Sequence, residues 1–256
     1  MSENPTALVT GGGTGIGAAI AERLAADGFD VVVAGRRRDR LDEVVARIGG
    51  AARALVLDVT DAESVTAGVG GLTRLDVLVN NAGGALGVSR VEDGDLAQWE
   101  TMYATNVIGA TRVTQAALPL LRRSGRATIV NVSSIAGERV YEGGAGYVAA
   151  KHGTSVVSET LRLELNGENI RVSDVRPGMV HTEEFSLTRL GGDQGAADKV
   201  YAGVDRPLVA ADVAACVGFL VGLPQHVNID SMVVKPVAQA APHKLHRGPI
   251  DWKDGA

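Results

Sequence analysis

Residues 7–17 read ALVTGGGTGIG, a short apolar run that passes through a glycine-rich turn into a segment of helical period. Ile20 and Leu24 continue that period, and Gly28 ends it. In such a strand–turn–helix unit, backbone amides at the positive end of the helix can approach a pyrophosphate. The stretch therefore predicts a dinucleotide site. Its spacing is GxxxGxG rather than the usual GxGxxG, and a plain tight turn is the alternative.

The alternation of apolar runs with helical segments continues along the whole chain. Most runs lack apolar/polar alternation, as strands buried on both faces do. The pattern predicts an α/β fold of Rossmann type, with a doubly wound parallel sheet. The expected strands are residues 7–10, 30–35, 54–58, 77–80, 128–132, 171–175 and 231–235, and the longer helices are roughly residues 95–123, 145–166 and 210–222.

The chain organisation favours one domain over residues 1–256, because no Pro-, Gly- or Ser-rich linker divides it. Residues 181–205 interrupt the alternation after a strand, where ligands bind in such sheets, and we expect a substrate loop there. Residues 237–256 lose periodicity. We expect this C-terminal tail to be poorly ordered unless a neighbouring subunit holds it.

Composition excludes several classes of protein. The net charge of −5 argues against a surface that binds nucleic acid by neutralising phosphates. Cys216 is the single cysteine, so an intrachain disulfide is impossible and a reducing, cytoplasmic location is expected. The N-terminus shows no export signal, and no uncharged run has the length of a membrane span. The histidines lack convergent spacing, so no metal is assigned.

The end of the second strand bears on the choice of cofactor. An acidic residue that would bind a ribose 2′-hydroxyl is absent, and Gly35, Arg36, Arg37 and Arg38 follow one another there. Three arginines at a helix start oppose the helix dipole, so a ligand reason is favoured over a solvated basic turn. The run predicts a 2′-phosphate, and hence NADP.

Two further groups of residues suggest acid–base chemistry. Tyr147 and Lys151 are four apart in a helical segment and share one face, and a nearby ammonium would lower the pKa of a phenol. A surface pair is the alternative. Ser133 and Ser134 end a buried strand at its carboxyl edge, where only one of two adjacent side chains can face the site. A pair of turn hydroxyls is the bland interpretation.

Together these motifs resemble the short-chain dehydrogenase/reductase family over nearly the whole chain. The resemblance implies a seven-stranded sheet and catalysis by Asn106, Ser134, Tyr147 and Lys151. Ser134, rather than Ser133, matches the catalytic serine because it stands thirteen residues before the tyrosine. The cofactor residues that the motifs and their resemblance imply are Gly11, Thr14, Gly15, Ile16, Gly17, Arg36, Arg37, Asp58, Val59, Asn80, Ala82, Gly83, Tyr147, Lys151, Pro177, Gly178, Val180 and Thr182.

The resemblance also implies roles. Tyr147 would exchange a proton with the substrate oxygen, and Ser134 would orient that oxygen. Lys151 would bind the nicotinamide ribose and lower the pKa of Tyr147, and Asn106 would hold a water of the proton relay. Asp58 and Val59 would contact adenine, Asn80 and Gly83 would flank the ribose, and Val180 and Thr182 would meet the nicotinamide and pyrophosphate end.

The expected function is an NADP(H)-dependent oxidoreductase that moves hydride between nicotinamide and a secondary alcohol or carbonyl. Residues 80–87, 99–102, 184–186 and 223–229 are similar to NADP-dependent 3-hydroxy-acid dehydrogenases, which implies a small 3-hydroxy acid as substrate. A carbonyl reductase of a bulkier ketone or aldehyde is the alternative, and a non-catalytic NADP sensor is a third. Arg139 is a candidate partner of a substrate carboxylate, or an exposed arginine beside Glu138. The family resemblance suggests a homotetramer.

Overall fold

Seven parallel strands form one sheet at the centre of the protein, which the computed structural model describes over residues 4–253. They are β1 (Thr6–Thr10), β2 (Asp30–Gly35), β3 (Ala52–Val56), β4 (Val77–Asn80), β5 (Ala127–Val132), β6 (Ile170–Pro177) and β7 (Ser231–Val234). Their order is β3-β2-β1-β4-β5-β6-β7. The order reverses between β1 and β4, and ligands of such sheets bind at the carboxyl ends beside that point.

The strand predictions are confirmed, with differences at the ends. Residues 54–58 were expected as the third strand, whereas β3 begins at Ala52 and ends at Val56. The reason is its pairing: Val31 lies opposite Ala52 and Gly35 lies opposite Val56, so the register with β2 sets both ends. An edge strand half open to solvent gives a weak apolar signal, which explains the shift.

Helices cover both faces of the sheet. The first face is packed by α1 (Gly15–Ala26), α2 (Arg38–Ile48) and a late helix, Ala210–Gly222, and the second by α3 (Ala62–Gly70) and the helices that follow it. These are α5 (Ala110–Ser124) and α6 (Ala145–Glu164). A further helix, α4 (Leu96–Tyr103), packs against α6, and a π-helical turn, Ala104–Gly109, lies between α4 and α5. Each face buries its own cluster of Val, Leu, Ile and Ala side chains against the sheet.

The expected substrate loop, residues 181–205, contains regular structure. It includes α7 (Phe185–Arg189) and α8 (Gln194–Tyr201), and it is followed by α9 (Ala210–Gly222). Two-residue strands, Val180–His181 and Leu208–Val209, pair in parallel at its two ends. The segment is therefore tied back to the end of β6 at both ends.

The prediction of a poorly ordered C-terminal tail is wrong for residues 237–253. Gln239–Ala241 and Lys244–Leu245 form an antiparallel pair, and the chain then runs along the segment that contains α8. Gly248 N–H donates to Gly203 O at 2.7 Å, and Trp252 Nε1 donates to Asp205 Oδ2 at 2.7 Å. These polar contacts lie within the same chain and order the tail. Residues 254–256 of the tail, like residues 1–3 of the N-terminus, lie outside the described residues.

Within residues 4–253, no helix combines the length and the apolar character needed to cross a bilayer.

Candidate active site

The glycine-rich turn after β1 is packed so closely that side chains are excluded. Gly11 has φ +62°, and a Cβ there would lie 2.9 Å from the Cα of Ala82. A Cβ on Gly17 would lie 2.2 Å from the Gly11 carbonyl oxygen. Gly15 has φ +52° and lies under the Thr182 side chain. The turn therefore places bare backbone at the start of α1, where an anionic group is favoured.

The ends of β1 and β4 are locked together beside this turn. Thr10 Oγ1 accepts from the backbone N–H groups of Asn81 and Ala82 at 3.0 and 3.1 Å, and Asn81 Nδ2 donates to Thr10 O. The Asn80 side chain points into the interior instead, where it donates to Thr114 and Asn131. The expected ribose contact of Asn80 would therefore use its backbone.

Two arginines of the basic turn after β2 differ in their contacts. Arg36 is exposed, and its charge contributes to a lowered pKa of Asp58. Burial opposes that lowering, but hydrogen bonds from Thr60 together with nearby positive charge outweigh it. Arg37 forms a two-pronged ion pair with Glu184 of the substrate segment, at 3.0 and 2.7 Å. Thr14 Oγ1 donates to the same carboxylate at 3.2 Å.

The two serines after β5 take opposite directions, as expected of adjacent strand residues. Ser133 donates to the buried carboxylate of Asp174, which also accepts from Ser155 at 2.8 Å and from Arg176 at 2.7 Å. Ser134 faces the site, where its Oγ accepts from Ala136 N–H at 3.1 Å. Since Ser155 lies on α6, the Asp174 network joins that helix to β5 and β6.

Tyr147 and Lys151 occupy one face of α6, as predicted. The Lys151 Nζ lies 5.8 Å from the centroid of the Tyr147 ring and donates to Val132 O at 3.0 Å. Burial raises the pKa of Tyr147 to about 12, although a hydrogen bond with Ser134 and the charge of Arg189 act to lower it. Burial also lowers the pKa of Lys151 to about 8.

One expected effect on a pKa is outweighed by burial. Lys151 was expected to lower the pKa of Tyr147, but desolvation of the phenol is the larger influence, and the pKa of Tyr147 is raised. Both groups are nevertheless in their proton-bearing forms near neutral pH.

Asn106 lies in the π-helical turn between α4 and α5. Such turns are rare and occur often at functional sites. The Asn106 Nδ2 donates to Gly84 O and Met102 O, whereas its Oδ1 is buried and has no hydrogen-bond partner among residues 4–253. A Cβ on Gly83 would lie 2.3 Å from this oxygen and 3.6 Å from Lys151 Nζ. The free acceptor therefore lies beside the ammonium, where the expected water would stand.

The substrate side of Tyr147 is closed by α7. Phe185 contacts the Tyr147 ring edge-on, with 5.9 Å between centroids, and the Arg189 guanidinium lies 5.6 Å from the Tyr147 centroid. Arg139 is elsewhere: its side chain is 71% exposed and pairs with Glu138 at 3.2 Å. Of the two interpretations of Arg139, the geometry favours the exposed arginine.

Sequence reasoning missed the roles of three charged residues. Asp174 was hidden inside a predicted strand, although a carboxylate between Val172 and Val175 signals a buried polar network. Glu184 precedes α7 and Arg189 is its last residue, in a segment that was expected to be a loop. Their positions depend on how that segment folds back over the site, which no local pattern reveals.

The remaining implied cofactor residues line the same edge of the sheet. Pro177 ends β6, and the backbone then passes through Gly178, where a Cβ would lie 2.2 Å from Gln239 Oε1. Val180 and Thr182 follow, and Thr182 lies over the glycine-rich turn. Val59 packs against Gly109 on the opposite side. A groove of bare backbone, basic side chains and one free buried acceptor fits a phosphorylated dinucleotide.

This fold and this tyrosine–serine–lysine arrangement define a dehydrogenase built on a nucleotide-binding sheet. Residues 5–189 match the family model described as short chain dehydrogenase, and the chain belongs to that family of oxidoreductases. It is 51% identical over 244 residues to an uncharacterised oxidoreductase of Mycobacterium tuberculosis (strain ATCC 25618 / H37Rv), which covers 95% of this chain and 96% of the relative.

Relatives with named activities are also similar. A sulfoacetaldehyde reductase of Chromohalobacter salexigens is 42% identical, over 91% of this chain and 94% of the relative. A serine 3-dehydrogenase of Rhizobium radiobacter is 39% identical, over 92% of this chain and 95% of the relative. A serine dehydrogenase solved in its closed form with NADP⁺ superposes with a TM-score of 0.89 at 36% identity, over 94% of this chain and 99% of that one.

Proposed function

We propose that the protein is an NADP(H)-dependent oxidoreductase that interconverts a carbonyl and a secondary alcohol. The observation that carries the proposal is the buried Tyr147 phenol, with the Ser134 hydroxyl on the same side of the sheet edge and the Lys151 ammonium 5.8 Å from the tyrosine ring. A protein that only senses the cofactor does not need a phenol, a hydroxyl and an ammonium assembled at one site.

The cofactor proposal is supported by the two ends of the groove. Gly11, Gly15 and Gly17 leave backbone amides accessible for the pyrophosphate at the start of α1. Gly35 offers no carboxylate to repel a phosphate, and Arg36 beside it is free of any ion pair within residues 4–253. The related serine dehydrogenase structure holds NADP⁺, in agreement with this choice.

In the reductive direction NADPH, held by the groove, would supply the hydride that the carbonyl carbon accepts. Ser134 donates a hydrogen bond to the carbonyl oxygen and orients it towards Tyr147. With a pKa of about 12, the Tyr147 phenol carries its proton at neutral pH and passes it to that oxygen as the alcohol forms. The Lys151 ammonium stabilises the phenolate that remains, and the Asn106 Oδ1 accepts from a water through which the proton is replaced.

The substrate we propose is a small 3-hydroxy acid or the corresponding oxo acid. Support comes from Phe185 and Arg189, which lie against the Tyr147 ring, and from relatives named for serine and for sulfoacetaldehyde. A bulkier biosynthetic ketone or aldehyde is the second candidate, and it would require α7 to move away from the tyrosine.

A single assay tests these alternatives. The purified protein is incubated with NADP⁺ and a panel of hydroxy acids and neutral alcohols, and with NADPH and the matching carbonyls, while the absorbance of the reduced cofactor is followed. We expect turnover with small hydroxy acids. Turnover with bulky ketones alone would favour the second candidate, and tight NADP binding without any turnover would favour the sensor.

For the assembly we propose a homotetramer in the cytoplasm. Val156 and Leu163 on α6 are 60% and 78% exposed, and Ile108 at the start of the α5 region is 44% exposed. Apolar side chains exposed together on neighbouring helices are typical of a subunit interface. Light scattering after size exclusion tests the tetramer, and a monomeric mass would contradict it.

A further inference from the structure

Arg189 is held above the catalytic tyrosine by the loop on the other side of the site. Its backbone oxygen accepts from Gly87 N–H at 2.9 Å, and its Nε donates to Gly87 O at 3.3 Å. Its guanidinium lies 5.6 Å from the ring centroids of both Tyr141 and Tyr147. The half-buried side chain is thus fixed at both its backbone and its head, rather than free in solvent.

The charge of Arg189 has no counterpart in the described part of the chain. No carboxylate of residues 4–253 lies within ion-pairing distance of it, although most arginines of this protein have such a partner. Only Nε takes part in a hydrogen bond there, which leaves both terminal nitrogens as donors. The two tyrosine rings stabilise a cation only in part, so a guanidinium that is partly removed from water and has no counter-charge favours a ligand that supplies the anion.

We propose that Arg189 is the specificity residue of this site and binds an anionic group of the substrate, a carboxylate or a sulfonate. The proposal rests on the proposed reaction at Tyr147 and names the substrate class for it. A guanidinium presents its donors as a planar fork that matches two oxygens of such an anion. Because the Arg189 guanidinium lies within one side-chain length of Tyr147, only a few atoms separate the carbonyl group and the anionic group of the expected substrate.

Arg139 provides the matched contrast. Both arginines belong to segments that border the site, but Arg139 is mostly exposed and already paired with Glu138. Removing Arg139 changes the net charge by the same amount as removing Arg189, without removing a group that faces Tyr147. Any effect specific to Arg189 is therefore an effect of position.

The test compares Arg189→Met, Arg189→Lys and Arg139→Met with the unmodified protein in NADPH-dependent reduction. One substrate pair is 3-oxobutanoate and its neutral methyl ester, and the other is 2-oxopropane-1-sulfonate and neutral 2-butanone. Two charge-assisted hydrogen bonds predict that Arg189→Met lowers kcat/KM for the anions about 100-fold or more. We expect values for the neutral compounds to stay within about three-fold, Arg189→Lys to be intermediate and Arg139→Met to be unchanged.

The outcomes of this test distinguish the role of Arg189 from the proposed reaction at Tyr147. Equal losses on anionic and neutral substrates, or no loss in Arg189→Met, would overturn the role of Arg189 while the proposed reaction stands. The carboxylate and sulfonate pairs show which anion the site prefers. Calorimetric titration of the NADP⁺ complex with propanoate and ethanesulfonate gives a readout without turnover. Anion binding that requires Arg189, in a protein that reduces none of the four carbonyls, would support the anion site and refute the proposed reaction.

Discussion

The ion pair between Arg37 and Glu184 makes a quantitative prediction about cofactor affinity. The carboxylate of Glu184 holds the guanidinium of Arg37, which with Arg36 is one of the two arginines expected to meet the 2′-phosphate. That contact lowers the pKa of Glu184, so Glu184 is charged near neutral pH. A phosphate must therefore share or displace Glu184. Substitution Glu184→Gln keeps the size of the side chain and removes the charge.

The expected gain in NADP⁺ affinity follows from the solvent exposure of the Arg37 and Glu184 side chains. The two side chains are 52% and 37% exposed, so solvent screens the pair and its worth is about 0.2–1 kcal/mol. Releasing Arg37 from the pair is thus expected to tighten NADP⁺ binding by about 1.4- to 5-fold, since 1.36 kcal/mol corresponds to ten-fold. NAD⁺ has no 2′-phosphate, and its affinity is expected to change less.

Calorimetric titration of each cofactor at low ionic strength measures the difference. Glu183→Gln is the control, because Glu183 is the exposed neighbour and its removal changes the net charge equally. Weaker NADP⁺ binding in Glu184→Gln would mean that the carboxylate orients Arg37 for the phosphate. An equal gain for NAD⁺ would mean that Arg37 does not contact the 2′-position. Either result would refute the competition.

Three further perturbations test other parts of the site. We expect the unmodified protein to prefer NADP over NAD by ten-fold or more, and Gly35→Asp with Arg36→Leu should reverse this preference, because the double substitution adds a carboxylate that repels the 2′-phosphate and removes a charge-assisted hydrogen bond. Equal kcat/KM values with NADP and NAD in the unmodified protein would contradict this. Burial lowers the pKa of Lys151 to about 8, so kcat/KM for reduction should fall above about pH 8 as Lys151 loses its proton. A kcat/KM that stays constant up to pH 10 would refute the role of the Lys151 ammonium. Gly17→Ala places a methyl group 2.2 Å from a backbone oxygen and should lower the melting temperature and cofactor affinity, whereas Gly70→Ala, in open space on α3, should do neither.

The strands and the catalytic helix were predictable because their signals are local. Strands such as Val77–Asn80 and Asp30–Gly35 are short apolar runs bounded by turns, and burial on both faces makes nearly every residue of each run apolar. Tyr147 and Lys151 are separated by one helical turn, so their shared face follows from spacing alone. The glycine-rich turn likewise announces a close backbone approach.

The parts that escaped prediction depend on contacts distant in sequence. The tail is ordered because Gly248 and Trp252 meet residues about 45 positions earlier, and such polar contacts leave no periodic signal. Arg189 lies over Tyr147 because Gly87, 102 residues earlier, holds it there. The pKa values of Tyr147 and Lys151 follow from burial, which the Tyr–Lys spacing does not report.

The most direct test of the central claim is the reductive turnover of Tyr147→Phe. The substitution removes the phenolic hydroxyl and leaves the ring that packs against Phe185. Loss of the general acid predicts a fall in kcat of about 10²- to 10⁴-fold, with NADPH affinity retained in a parallel titration. A Tyr147→Phe protein that binds NADPH normally and keeps more than a tenth of the original kcat would contradict proton transfer by Tyr147.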